Sequence, residues 1–313
     1  MELPIFSLPG MDITVYGAVS AALCAVFFAL TVFSWKRKGG RSAAPAVWFG
    51  VLSIVLGLLV GRGIYCAVRY NAVFFDGMGD SLGILPFFTM EEGSVSVVGV
   101  LLGCLLAAAL AARFTGARAS EILDCAALPG VMLFALLRLV EPLSGQGFGP
   151  LVSDPFWCRV PLSIDSGWGE WSFSVCFLEF VLLLLAFLAL LKIPCRKGGT
   201  RAMYALTLIP ALQLIPEMLR QDNVLMIFIF APVTQMGYAA LLFGTLAAAL
   251  RPFPRKIKIR ELGLMLLGIA LLVAGEFALD KSEWSHALLY AVMGVILAAM
   301  TGMTLRRIRL RDQ

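Results

Sequence analysis

Charge is the first thing this chain is short of. Only 14% of its 313 residues are Asp, Glu, Lys or Arg, where soluble globular domains carry about a quarter. Histidine is nearly absent. His286 is the only one, so a histidine-based metal site is excluded. The seven cysteines (Cys24, Cys66, Cys104, Cys125, Cys158, Cys176 and Cys195) include no C-x-x-C pair and no zinc-ligand spacing. Most lie inside apolar runs, where a thiol packs as a small hydrophobe. Cys158 alone is expected outside those runs, which leaves it no partner for a disulfide. The first thirteen residues contain no Lys or Arg. They lack the basic start and cleavage site of a signal peptide, so the first apolar run is expected to be retained. Nothing here implies a cofactor.

Apolar sequence is what the chain has instead, at 60% of residues with a mean hydropathy of +0.90. A helix crosses a bilayer with roughly 20 apolar residues, because it satisfies its own backbone hydrogen bonds in lipid. Nine segments pass or approach that test: 13–35, 44–68, 95–112, 121–141, 171–194, 202–219, 232–250, 262–279 and 285–305. Residues 223–231 read as a re-entrant or interfacial piece. Of the 25 Lys and Arg, nineteen fall in alternate connections (36–41, 113–118, 192–201, 251–260) and in the tail 306–311. Arg69, Arg159, Arg220 and Lys281 are all that lie on the other side. This asymmetry places the basic side in the cytoplasm, with the N-terminus outside and the C-terminus inside a bacterial inner membrane. It also accounts for the net charge of +5 without a nucleic-acid partner.

Trp157, Trp168, Trp171 and Trp284 stand near outer span ends, and Trp35 and Trp48 near inner ones, as an interfacial aromatic belt does. Gly57-x-x-x-Gly61 and Gly99-x-x-x-Gly103 are small-residue stripes suited to close helix packing. The outer connections are long. Residues 69–94 hold Asp76, Asp80, Glu91 and Glu92, and 142–170 are rich in Gly, Pro and Trp. Ionisable residues inside spans cost about 2.5–3.5 kcal/mol each and are functional candidates for that reason. Here they are Arg62, Arg138, Glu141, Glu179, Glu217 and Glu276. Arg138 and Glu141 are three apart and are equally readable as a simple ion pair.

Five stretches carry a family resemblance in collinear order over about residues 1–250. Thr14-Val-Tyr16-Gly17 looks like W-Y-G near the start of a first helix. Val60–Asn71 (VGRGIYCAVRYN) resembles G-G-R-I-G-Y, and Glu92–Gly103 (EGSVSVVGVLLG) resembles G-G-x-S-x-H-G-G-L-I-G. Ile122–Ala127, followed by Leu137–Gly149 (LRLVEPLSGQGFG), resembles D…G-R-x-G-N-F-x-N-G-E-x-x-G, with Asp124 and Arg138 at the expected spacing. Leu214–Asp222 (LIPEMLRQD), then Thr234-Gln235, resemble I-V-E-F-F-R-x-P-D and M-G-Q. The family is prolipoprotein diacylglyceryl transferase.

The resemblance implies an all-α polytopic membrane protein with a seven-helix transferase-like core (1–252), an external loop within it (142–170) and a two-helix C-terminal extension (253–313). It further implies transfer of diacylglyceryl from phosphatidylglycerol to a lipobox cysteine thiol, near the outer face. By position, Arg138 is the expected phosphate ligand. Glu217 and Glu141 are the candidate proton-handling or arginine-positioning carboxylates. Tyr16, Arg62, Gln146, Gln213 and Arg220 are expected to contact lipid, and Gly145 and Gly149 to form turns. The chain departs from the pattern at four places. Val98 stands at the motif histidine, Glu141 at the asparagine after the motif arginine, Ser144 and Gln146 at N-G-E, and Gln213 at an arginine. Three readings stay open: a divergent transferase, an inactive transferase-fold protein that binds lipid or, through the extra helices, a protein partner, and a transporter using Glu179, Glu217 and Glu276.

Overall fold

The apolar runs become long helices wherever backbone groups must pair internally. The computed structural model describes residues 6–8, 11–40, 42–75, 80–88, 94–165, 169–221, 225–227, 231–281 and 285–313. In chain order the helices are α1 (Val15–Arg37), α2 (Ala44–Val68), the short α3 (Tyr70–Phe74) and α4 (Leu85–Phe88), α5 (Val97–Thr115) and α6 (Ala119–Val140). After a 3-10 turn at Glu141–Ser144 come α7 (Val175–Lys192), α8 (Thr200–Leu219), α9 (Val233–Ala249), α10 (Arg255–Lys281) and α11 (His286–Asp312). Among the described residues, eight helices are long and apolar enough to cross a membrane. At 17 residues, α9 sits at the short limit of about 17–25. The chain is an all-α polytopic membrane protein.

Strands are confined to one end of the bundle. β1 (Phe6–Leu8) pairs with β2 (Met11–Ile13). β3 (Phe148–Val152), β4 (Ser163–Asp165) and β5 (Trp171–Ser174) form an antiparallel sheet with β5 central. β6 (Met226–Ile227) pairs with β7 (Ala231–Pro232) within the segment expected to be re-entrant. We call this the loop end, and the other, where Lys and Arg concentrate, the basic end.

Three boundaries differ from the expected ones. The fifth span begins at Val175 rather than 171, because Trp171–Ser174 alternates as a strand and Ser174 caps the helix, accepting from the Phe177 N–H at 3.4 Å. α10 and α11 both run past their apolar stretches into the basic end, where water solvates the charged turns. Asp76, Glu91, Glu92, Trp168 and Trp284 lie outside the described residues.

Backbone contact locks α2 to α5. A Cβ on Gly99 would fall 2.5 Å from the Gly61 Cα, and one on Gly103 2.7 Å from the Gly57 Cα. The two glycine stripes meet antiparallel, and the Ser96 N–H donates to Gly61 O at 3.1 Å. At the basic end, Asp124 of α6 accepts from the Gly199 and Ala202 N–H groups at 2.7 and 2.8 Å. It satisfies donors that the start of α8 leaves open, so this motif carboxylate acts as a helix cap. Arg62 of α2 is buried and donates from Nε, Nη1 and Nη2 to the carbonyls of Phe87, Ser94 and Pro86. It ties the α4 segment to the helix.

Candidate functional site

The termini of four helices meet at the loop end and bring ionisable groups to one depth. Arg138 lies two residues before the end of α6, Glu217 two before the end of α8, and Glu179 five residues into α7. Arg220 follows α8 directly, and Glu141 opens the 3-10 turn. Pro142 within that turn and Gly145, which is left-handed at φ +70°, reverse the chain and keep Glu141 beside Arg138. Gly149, expected in a turn, lies instead within β3, where it is needed for close approach, since a Cβ there would sit 2.7 Å from Val175 Cγ2. Gly147, left-handed at φ +86° and pressed on Cys176, plays the same part and was not singled out by its motif.

Arg138 is the hub, 5% exposed. Its Nη1 reaches Glu141 Oε2 at 2.8 Å, Nε reaches Glu179 Oε2 at 3.2 Å, and Nη2 reaches Glu217 Oε2 at 3.5 Å. Arg220 bridges two of the same carboxylates, Glu141 Oε1 at 2.5 Å and Glu179 Oε2 at 3.4 Å. The residue three after Arg138 therefore does pair with it, inside a five-membered network. Three carboxylates face two guanidiniums, and all five groups are buried. Such an arrangement holds only because opposite charges lie directly against one another. The guanidinium fork of Arg138 is directed at three carboxylates at once.

Two further residues complete the cluster. Tyr238 of α9 is fully buried beside Arg138, Glu179 and Glu217. Gln213 of α8 is fully buried as well, its Nε2 donating to the Glu179 carbonyl at 3.5 Å. Buried Glu179 Oε1 and Gln213 Oε1 have no hydrogen-bond partner among the described residues. Buried acceptors rarely go unmatched, so this corner suits a ligand that brings hydroxyl donors. Tyr16 is half-buried in the first turn of α1, the helix that packs on the 3-10 turn. Gln146 is half-buried just beyond that turn. Arg62 points its donors at backbone carbonyls, as described above. Val98, at the motif-histidine place, presses on α9, where a Cβ on Gly237 would lie 2.2 Å from Val98 Cγ2. That place is filled with hydrocarbon.

Below the cluster, towards the basic end, lies an apolar cavity of about 250 Å³ between α1, α2, α5, α6 and α8. Its lining along α6 runs from Leu123 to Leu137, about 21 Å by the helical rise. Phe134 lines it and also carries the Arg138 guanidinium 5.2 Å above its ring. The cavity is long and narrow, smaller than the ~300 Å³ at which small-molecule pockets begin. A greasy slot thus ends at a charged cluster, the polarity profile of a lipid. Among the described residues no group of three His, Cys, Asp or Glu is arranged to hold a metal ion.

A family model described as prolipoprotein diacylglyceryl transferase matches residues 4–251. The chain belongs to the prolipoprotein diacylglyceryl transferase family. No match was found among curated proteins. The matched segment contains the whole Arg138 cluster and the apolar cavity, and α10 and α11 lie beyond it. Family membership makes this a transferase-like membrane protein of lipoprotein biosynthesis.

The sequence singles out Arg138, Glu141, Gln213, Glu217 and Arg220, and the fold brings all five together. It marks Glu179 as an ionisable residue in a span and as a transporter candidate, not as a member of this site. Its position near the start of a span that begins at the same end as Arg138 was the signal available. Tyr238 had no sequence signal, because a tyrosine in an apolar helix reads as packing.

Proposed function

We propose that this protein transfers a diacylglyceryl group from phosphatidylglycerol to the cysteine thiol of a lipobox peptide, at the outer side of a bacterial inner membrane. The observation that carries the reading is Arg138 standing at the head of an apolar slot, beside buried acceptors that lack donors. An acyl chain lies in the slot. The phosphate exchanges with one carboxylate on Arg138, whose planar fork matches its geometry. The hydroxyls of the head-group glycerol donate to Gln213 Oε1 and Glu179 Oε1. The thiolate attacks the glyceryl carbon that bears the phosphate. The C–O bond breaks, glycerol phosphate leaves with the electron pair, and a thioether forms. The displaced carboxylate, Glu141 or Glu217, takes the thiol proton. The Lys and Arg residues that concentrate in the connections of the opposite end support its cytoplasmic placement.

A second reading, an inactive lipid- or partner-binding member, is favoured by two observations. Arg138 already faces three carboxylates, and the histidine place is apolar Val98. The deciding experiment gives purified protein in phosphatidylglycerol vesicles a lipobox peptide, and follows peptide mass and glycerol phosphate release, with Arg138→Ala as control. A gain of one diacylglyceryl group that disappears in the control supports transfer. Folded, lipid-binding protein that yields no product establishes the second reading.

A further inference from the structure

The two helices beyond the family match are built into the core. Leu272 of α10 and Met293 and Leu297 of α11 bury in one cluster with Tyr238 and Leu242 of α9. At the basic end Asp312 accepts from the Arg196 and Lys197 N–H groups and from the Thr200 hydroxyl at 2.8–3.1 Å. Glu261 and Arg307 pair between α10 and α11 in a buried contact. Near the loop end, α10 carries one more carboxylate. Glu276 is four residues beyond Leu272, so both lie on the face that meets α9. It is five residues short of Lys281, where the helix ends, at the same end of the bundle as Arg138, Glu179 and Glu217.

Glu276 has a specific partner. With its amide nitrogen turned to the carboxylate, Gln235 donates to Glu276 Oε1 and Oε2 at 3.1 Å each. Gln235 is buried and sits third in α9, one turn before Tyr238. Gly237, between them, presses on Val98 of α5. The first turn of α9 is held by Glu276 on one side and by Val98 on the other, and from it Tyr238 enters the Arg138 cluster. A carboxylate at such a position is costly, and the apolar packing of α10 on α9 does not need one.

We propose that Glu276, carried by a helix outside the family-matching segment, is a positioning residue of the transfer site, setting the first turn of α9 and hence Tyr238 through the Gln235 amide. The proposal rests on the transferase reading above and adds a residue that the family segment does not contain.

The test uses the full chain in phosphatidylglycerol vesicles with a lipobox peptide. Glu276→Ala and Gln235→Ala are each expected to lower kcat about tenfold, the scale of a small misplacement of reacting groups, with KM for the lipid within about twofold. The double variant is expected to be no slower than either single one, because the two residues act as a unit. Glu276→Gln, which keeps an acceptor oxygen, restores most of the rate. Val295→Ala, on the exposed face of α11, leaves it unchanged. A merely structural pair would lower the unfolding midpoint while the folded fraction kept its kcat. Wild-type kcat in Glu276→Ala, or losses that multiply in the double variant, would overturn the proposal. If the wild type itself makes no product, the transferase reading is what has failed. Protein labelled with 3-fluorotyrosine then decides the positioning claim, the Tyr238 signal being assigned with Tyr238→Phe. A fluorine resonance of Tyr238 that shifts or broadens in Glu276→Ala supports it, and an unchanged one overturns it.

Discussion

Replacing Arg138 and replacing one of its carboxylates should have very different consequences. Arg138 is 5% exposed and meets Glu141, Glu179 and Glu217 within 2.8–3.5 Å. Arg138→Met preserves much of the volume but leaves three buried carboxylates facing Arg220 alone. Breaking a buried ion network by removing one partner costs about 3–5 kcal/mol, because the remaining charges are uncompensated. Glu141→Gln does the opposite. It keeps the shape and an acceptor oxygen for Arg138 and Arg220, and it leaves two carboxylates facing two guanidiniums. Its cost should stay below about 1.5 kcal/mol, the net scale of one hydrogen bond. The assay is equilibrium unfolding in mixed micelles with increasing SDS, followed by tryptophan fluorescence for wild type and both variants. The expected order is wild type close to Glu141→Gln, with Arg138→Met lower by at least about 3 kcal/mol. If Arg138→Met unfolded at the same SDS fraction as Glu141→Gln, the carboxylates would not depend on Arg138. The charge-compensation argument for this cluster would then be wrong.

Other outcomes follow from the same geometry. Gly103→Val should part α2 from α5 and cost about 1–3 kcal/mol as an overpacked contact. Gly244→Ala, whose Cβ meets nothing within 4 Å, should gain about 0.5–1 kcal/mol in the same unfolding assay. Asp124→Ala should cost about 0.5–2 kcal/mol as a lost helix cap yet leave the transfer rate of the folded fraction intact. A tenfold loss of kcat would instead place Asp124 in the chemistry. Ala126→Leu, which narrows the slot along α6, should raise KM for long-chain phosphatidylglycerol while sparing a short-chain donor, read by mass spectrometry of the lipidated peptide. Arg62→Met removes two charge-assisted bonds to α4, at Pro86 and Phe87, and a third to Ser94 before α5. It should make residues 80–88 the first site cut in limited proteolysis.

How much of this was legible in one dimension differs from element to element. The spans were, because crossing lipid demands a run of apolar residues that is local and contiguous. The expected 44–68 run is α2 to the residue. The two glycine stripes were legible as close-packing faces, and the fold is what sets them against each other. Arg138 and Glu141 declared themselves at a spacing of three. The structured loop end was harder to read. The short alternating run Trp171–Ser174 merges with the apolar run behind it, and only the sheet with β3 and β4 separates them.

Alone, the sequence determined that this is a multi-pass helical membrane protein with one basic end and a handful of buried ionisable residues. Tertiary structure decided what those residues are for. Asp124 and Arg138 belong to one motif, yet Asp124 caps α8 at one end of α6 while Arg138 gathers three carboxylates at the other. Glu179 and Tyr238 join Arg138 from helices 41 and 100 residues further on. Glu276 meets Gln235 of α9 from outside the family segment altogether. Hydrophobic runs are encoded locally because each residue meets lipid independently. Buried charges are not, because a charge in a low-dielectric interior is stable only beside partners that the packing of distant helices supplies.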